Sequence, residues 1–142
     1  MADHSQYYVD PSLGSDTGDG SISTPWGRAT GSVVQYALDT VTRDATNGDQ
    51  INVKSGSDDV LAAGLSMTTY GTATQAAPLI INGYTSTLND GGQGAISGAA
   101  TYPIFQNSGY DYITFANLKL YNVGSSVFLA LDNECSVINC LF

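Results

Sequence analysis

The chain has 142 residues, enough for one domain with a real buried core. It carries 13 Asp plus Glu against 4 Lys plus Arg, a formal net charge of −9, so nucleic-acid binding through a basic patch is not expected. No apolar run approaches the roughly 18 residues of a membrane-spanning helix, so no membrane insertion is expected.

Met1–Gln6 lacks the basic region and apolar stretch of a secretory leader. Either the chain stays inside the cell that makes it, or its leader has been removed. One Glu and two Lys leave the best surface helix formers nearly absent. In their place stand 16 Gly, 15 Ser, 14 Thr and 9 Asn, the residues of strands, bends and left-handed corners. This is an all-β composition with frequent turns.

Residues 7–31 read as a loop-rich opening, with Asp10-Pro11 followed by Gly14-Ser15-Asp16-Thr17-Gly18-Asp19-Gly20. A helix comes next. Ser32 stands as N-cap with Gln35 at the capping-box spacing, and Val33, Val34, Ala37, Leu38 and Val41 recur on one face. The chain breaks at Asn47-Gly48-Asp49, and residues 50–56 read as a first strand. Short apolar segments follow at 60–67, 79–84, 104–106, 112–122, 127–131 and 135–142, with Gly or Asn between them. No helical segment intervenes, which argues against a layered α/β sheet. Two units are therefore expected: an N-terminal loop and capping helix over 1–49, and a strand body over 50–142.

Cys135 and Cys140 stand an odd number of residues apart, on opposite faces of any straight strand. With no C-x-x-C and no nearby His, they read as buried free thiols.

Phe115-Ala116-Asn117-Leu118-Lys119-Leu120 superposes on Val137-Ile138-Asn139-Cys140-Leu141-Phe142, and the same register sets Ile113 over Cys135. A period of about 22 residues suits a solenoid coil. Ile113 and Phe115 are out of phase with Leu118 and Leu120, so a straight strand cannot bury all four. A bend at Ala116-Asn117 restores the phase, and Asn tolerates the left-handed conformation such a corner needs. Stacked layers would then place Asn117 and Asn139 over one another, with Asn82 as a third member of an amide ladder. These three Asn are the expected structural residues.

Tyr8-Val9, Gly14-Ser15-Asp16, Gly18-Asp19-Gly20, Thr24-Pro25-Trp26, Tyr36-Ala37-Leu38 and Gly48-Asp49-Gln50-Ile51-Asn52-Val53 with Gly56 follow in order. This pattern over residues 7–56 resembles the N-terminal region of right-handed parallel β-helix proteins of the pectate-lyase-like superfamily. It departs from that group at Gly27-Arg28-Ala29-Thr30, where a tighter link into the helix is commoner. The resemblance implies an all-β, right-handed single-stranded parallel β-helix whose N-terminal α-helix caps the open end. Members of the group include polysaccharide lyases and hydrolases, adhesins, phage tailspikes and virion proteins, so it carries fold better than activity.

Asp10, Asp16 and Asp19 lie in one Gly-rich loop as a calcium candidate, but Gly18 and Gly27 occupy EF-hand ligand positions. Residues 89–96 begin like a calcium-binding nonapeptide, yet Ile96 stands where Asp is needed and the pattern occurs once. Lys119 projects outward between Leu118 and Leu120 with no acidic cluster beside it in sequence; Lys54, Arg28 and Arg43 are the other cations. Asp111 comes near Asp132 and Glu134 at the 22-residue offset, a weak carboxylate pair for glycoside hydrolysis. Tyr7, Tyr8, Tyr84, Tyr102, Tyr110, Tyr112 and Tyr121 could line a sugar-binding surface or serve as ordinary packing. His4 has no assigned role.

No catalytic, cofactor-binding or metal-binding residues are assigned, and no cofactor is expected. The chain stops at Leu141-Phe142 within an apolar repeat, so its exposed edge is expected to be covered by further chain or by a partner. The expected function is a structural virion protein of tailspike, fibre or capsid-decoration type. It would be a homotrimer or bound to other virion proteins, and a binder of surface polysaccharide. The alternatives are a polysaccharide lyase or glycoside hydrolase with catalytic coils beyond residue 142, and a secreted adhesin at the cell surface.

Overall fold

The computed structural model describes residues 3–105, 109–124, 126–128 and 134–142. In chain order these form β1 (Ser5–Val9), α1 (Val33–Thr40), β2 (Asp49–Lys54), β3 (Asp58–Val60), β4 (Leu79–Tyr84), β5 (Gly94–Ser97), β6 (Ile113–Ala116), β7 (Leu118–Tyr121) and β8 (Ser136–Ile138). Every strand pairing is parallel. The order β1-β2-β4-β6-β8 makes a five-stranded sheet, and β3-β5-β7 makes a three-stranded one. From β2 onward the chain alternates between the two sheets, and each return to the larger sheet adds its next strand.

This corrects the expected fold. The strands lie in two open parallel sheets, not in one closed or solenoidal sheet, so the right-handed single-stranded β-helix is not what they form. The physical reason is uneven layer length. The 22-residue spacing holds where β6 meets β8, but Asp49 pairs with Leu79, and Leu79 with Ile113, across longer stretches. Between the sheets, Leu65, Phe105 and Phe128 join only by isolated bridges, so among the described residues no third sheet closes the body. With one short helix, the arrangement is nearer a mixed α/β body than a pure β solenoid.

The core follows strand alternation. Ile51 and Val53 of β2, Leu79 and Ile81 of β4, Ile113 and Phe115 of β6, and Leu118 and Leu120 of β7 are all fully buried. The bend between β6 and β7 brings the last two pairs to one side. Residues 60–67 do not form the expected strand; β3 ends at Val60 and only Leu65 makes a bridge. β1 overlaps the start of the expected loop and pairs with β2, Tyr7 opposite Ile51.

Residues before β2 close one end of the body. The outer edge of β1 is taken by the returning loop: Tyr8 N donates to Gly20 O (2.8 Å), Trp26 N to Tyr8 O (3.0 Å) and Asp10 N to Trp26 O (2.9 Å). Trp26 stacks on Tyr7 at 5.7 Å and meets Tyr36 of α1 edge-on at 5.9 Å. α1 buries Val33, Val34, Ala37 and Leu38 against this end.

Ser32 caps α1 by accepting from Gln35 N at 2.9 Å. Gln35 does not complete the capping box; its side chain bonds both backbone groups of Ser66 instead. Asp59 of β3 takes its place. Its carboxylate, 2% exposed, accepts from Ser32 Oγ (2.5 Å), Val33 N (2.7 Å) and Val34 N (3.3 Å). Burial pushes the Asp59 pKa above the ordinary carboxylate value, while these donors pull it down. Replacing the group therefore orphans helix N–H donors at a site water cannot reach. Asp59→Ala is expected to lower unfolding free energy by about 2–3 kcal/mol, and Asp59→Asn by less, as read from urea midpoints at unchanged m-value.

Candidate functional site

A column of side-chain amides runs through the larger sheet. Asn52 Nδ2 donates to Gln6 Oε1 (2.9 Å), Asn82 Nδ2 to Asn52 Oδ1 (3.3 Å), Asn117 Nδ2 to Asn82 Oδ1 (2.8 Å) and Asn139 Nδ2 to Asn117 Oδ1 (2.7 Å). Gln50 adds a second donor to Asn52 Oδ1 at 2.8 Å. Asn52 and Asn82 are 0% and 2% exposed, so their amides have no recourse to water. Asn82, Asn117 and Asn139 were expected from the sequence; Asn52 and Gln6 were not. Asn52 alternates with Ile51 and Val53, the pattern of a solvent-facing strand position, and Gln6 lay just before the expected loop.

Two of the column's members sit at corners where the chain turns, Asn117 between β6 and β7 and Asn139 after β8. Asn117 and Asn139 adopt φ +53° and +49°, the left-handed conformation that Asn tolerates. Asn82 is instead a strand residue, followed by Gly83. A Cβ at Gly83 would lie 1.9 Å from Asn117 O, so only glycine lets that corner sit against β4. Asn117→Gly should keep the corner but lose both amide bonds, costing about 2 kcal/mol; Asn117→Ala should cost about 1 kcal/mol more, by thermal or urea unfolding.

The donors all point toward β1, so the column has a direction. Its last carbonyl oxygen, Asn139 Oδ1, accepts no hydrogen bond among the described residues. Around it the end of the body is open. β8 is the terminal strand of the sheet, paired only with β6. Phe115 is 0% exposed, but its β8 neighbour Val137 is 37% exposed, with Ile138 at 55%, Leu141 at 54% and Phe142 at 72%. Leu141 bridges to Lys119 of β7, and Phe142 reaches Phe128 edge-on at 6.5 Å. The Asn139 corner also turns Cys135 and Cys140 to the core side, where both remain free and half-buried. Cys135 Sγ donates to Tyr110 O and Cys140 Sγ to Phe115 O, each at 3.5 Å.

The other sequence candidates are each engaged elsewhere. Asp10 accepts from Lys54 Nζ (2.8 Å) and from Ser12. Asp16 accepts from Ala29 N (3.0 Å) and pairs with Arg28 at 3.5 Å, and Asp19 holds Ser21 and Thr24. The three carboxylates thus serve separate turns. Asp90, in the nonapeptide-like segment, accepts backbone N–H groups from Thr85, Ser86, Thr87 and Gly92, which hold it well below the usual carboxylate range. Asp132, one member of the Asp111, Asp132 and Glu134 set, lies outside the described residues. Among the described residues no three His, Cys, Asp or Glu side chains gather as a metal site.

Most of the tyrosines are taken up in packing. Tyr8 and Tyr84 meet edge-on at 5.4 Å, Tyr7 stacks on Trp26, and Tyr110 and Tyr112 lie against the core. Tyr121 donates its hydroxyl to Asp58, and Lys119 Nζ lies 4.1 Å above its ring. Sequence reasoning also missed Asp49, buried at the start of β2, which accepts from Tyr70 OH (2.7 Å) and Asp44 N (3.0 Å). Burial and the Asp49 carboxylate push the Tyr70 pKa far up.

Asp44 accepts from Asn47 N and Thr46 N, and Asp19 from the Thr24 hydroxyl and Ser21 N; these donors lower each pKa from 3.8 to about 2. A depressed carboxylate stabilises the fold above its unfolded pKa, and that contribution is lost as pH falls through the folded value. The amide shifts of Ser21, Thr46 and Asn47 should therefore stay native-like at about pH 3 and change as pH falls through about 2, as followed by NMR titration.

Comparison with protein-family profiles, curated proteins and solved structures finds no match to this chain.

Proposed function

We propose that the chain is a structural protein of a virion-type assembly, of tailspike, fibre or capsid-decoration kind, joined to its neighbours through the β8 edge. One observation carries the reading: the two ends of the body are unlike. At the β1 end, the loop through Trp26 and helix α1 cover both the backbone edge and the core. At the β8 end a strand edge, the side chains of Ile138, Leu141 and Phe142, and a bare amide oxygen face outward. Monomeric proteins blunt such edges with charge, Pro or a covering segment, and an unblunted one is a template for pairing. Asp10, Asp19, Asp44, Asp59 and Asp90 are meanwhile engaged in turns and a helix cap, a structural use of carboxylates that suits a scaffold. Surface polysaccharide is a further partner in this reading, met by the outward strand face that carries Asp58, Lys119 and Tyr121.

In a solution of residues 1–142 alone, another copy can cover the β8 edge. Sedimentation of the purified chain should show association that deepens with concentration. It should vanish in Ile138→Asp at unchanged circular dichroism, since position 138 is exposed. A parent chain that stays monomeric at every concentration would overturn assembly through this edge. Depolymerisation of an acidic polysaccharide by the purified chain would overturn the structural role.

A further inference from the structure

A pocket of about 400 Å³ lies between the loop of residues 10–25 and Lys54 at the end of β2. Leu13, Ile22 and Pro25 supply its apolar lining, and Ile22 is 49% exposed. The loop is held rigidly around it. Asp19 N and Gly20 N both donate to Thr24 O (3.0 and 3.2 Å), and Gly27 N donates to Thr17 O (3.0 Å). A Cβ at Gly18 would lie 2.1 Å from Pro25 O, so the two limbs of the loop touch there. A pocket fixed by its own backbone bonds costs little ordering when a ligand enters.

The polar side chains of the lining are satisfied within the loop, with one exception. Thr17 Oγ1 donates to Ser15 O (3.3 Å), Ser23 Oγ bonds Ser21 Oγ (3.2 Å), and Thr24 Oγ1 donates to Asp19 (2.5 Å). Asp10, 4% exposed, accepts from Ser12 N (2.9 Å), Ser12 Oγ (2.5 Å) and Lys54 Nζ (2.8 Å). Lys54 is the exception: its ammonium has three N–H bonds and gives one to Asp10. Among the described residues the other two have no partner. Asp10 cancels the Lys54 charge at contact, and the whole chain stands at −9, so an anion gains little here. A neutral carbonyl oxygen accepts from the ammonium without that repulsion. The pocket therefore suits a small group that joins a carbonyl oxygen to an apolar end.

Resting on the surface-polysaccharide reading above, we propose that this pocket binds the acetamido group of an uncharged, N-acetylated sugar unit. The acetamido oxygen accepts from Lys54 Nζ, and its methyl group lies against Leu13, Ile22 and Pro25. A peptide would present the same carbonyl, but its main chain needs a free strand edge to pair with. The β1 edge beside this loop is already bonded, Tyr8 N to Gly20 O and Asp10 N to Trp26 O. A sugar needs no such edge. The pocket thus adds a contact of defined chemistry to the strand face of Asp58, Lys119 and Tyr121.

The probes are N-acetylglucosamine, glucose and N-acetyl-alanine methylamide, each titrated into the whole chain and followed by NMR. N-acetylglucosamine is expected to give saturable shifts at Leu13, Ile22, Thr24 and Lys54, with a dissociation constant on the order of millimolar. Glucose, which lacks the acetamido group, should bind about tenfold more weakly. Ile22→Ser, at an exposed position, should weaken N-acetylglucosamine about fivefold at an unchanged fold. Lys54→Met should weaken it about tenfold; if the unpaired Asp10 unfolds that variant, Ile22→Ser decides. Equal binding of the two sugars overturns the proposal, and so does a peptide that binds as well as N-acetylglucosamine. Sugar shifts confined to Asp58, Lys119 and Tyr121 also overturn it, while the polysaccharide reading stands. If neither sugar moves any residue, both fall, and assembly through β8 is still judged by sedimentation.

Discussion

A side-chain amide ties each layer of the larger sheet to the layer before it, and at Asn52 and Asn82 that amide is shut away from water. Asn82 bonds Asn52 through its donor and Asn117 through its acceptor, so it is satisfied when both neighbours stand at the right height, while Asn52 is held in addition by Gln50 and Tyr7 O. An unsatisfied buried amide costs about 1–3 kcal/mol, a large share of the stability of a small domain. A strand that slips by one residue would break this bond and also turn Ile81 or Phe115 outward. The amide column and the apolar columns thus enforce the same register, and neither would do so as sharply alone.

That constraint propagates in one direction, so the ends must be treated differently. At the β1 end the column terminates on Gln6, whose own Nε2 donates to His4 O at 3.1 Å, and the edge beyond is bonded to residues 20–26. α1 covers what remains, but an eight-residue helix has little stability of its own. Asp59, reaching from β3, and the Gln35–Ser66 pair, reaching beyond it, tether the helix to the strand body. The closed end is therefore a tertiary construction in which strand and helix each supply what the other lacks. No equivalent construction among the described residues covers β8.

Features with local causes were legible in the sequence. The Ser32 cap, the buried face of α1, β4 at residues 79–84 and the bend at Asn117 follow from short-range spacing or from the conformational tolerance of one residue type. Features whose cause lies elsewhere in the chain were not. β1 is a strand because β2 lies beside it, Asp59 matters because a helix terminus is packed on it, and Asn52 is buried because Gln6 and Asn82 enclose it. The fold expectation failed by extrapolation. A real repeat between β6 and β8 was extended to a body whose earlier layers are of unequal length and whose third side is only bridged. A resemblance over residues 7–56 then gave that extension a name.

The acidity of the chain gains a physical role from the same geometry. Asp10, Asp19, Asp44 and Asp90 accept hydrogen bonds within local turns, and Asp16 accepts from Ala29 N farther along the chain, so the carboxylates that build the loops also give the surface its negative charge. A net charge of −9 makes copies of the chain repel one another at long range, while the β8 edge attracts at contact. Repulsion of this kind falls with added salt, whereas apolar contact does not. The two therefore act on a second identical chain in opposite directions and at different ranges. Charge at a distance and apolar surface at contact are thus both set by residues whose first duty is to hold the fold.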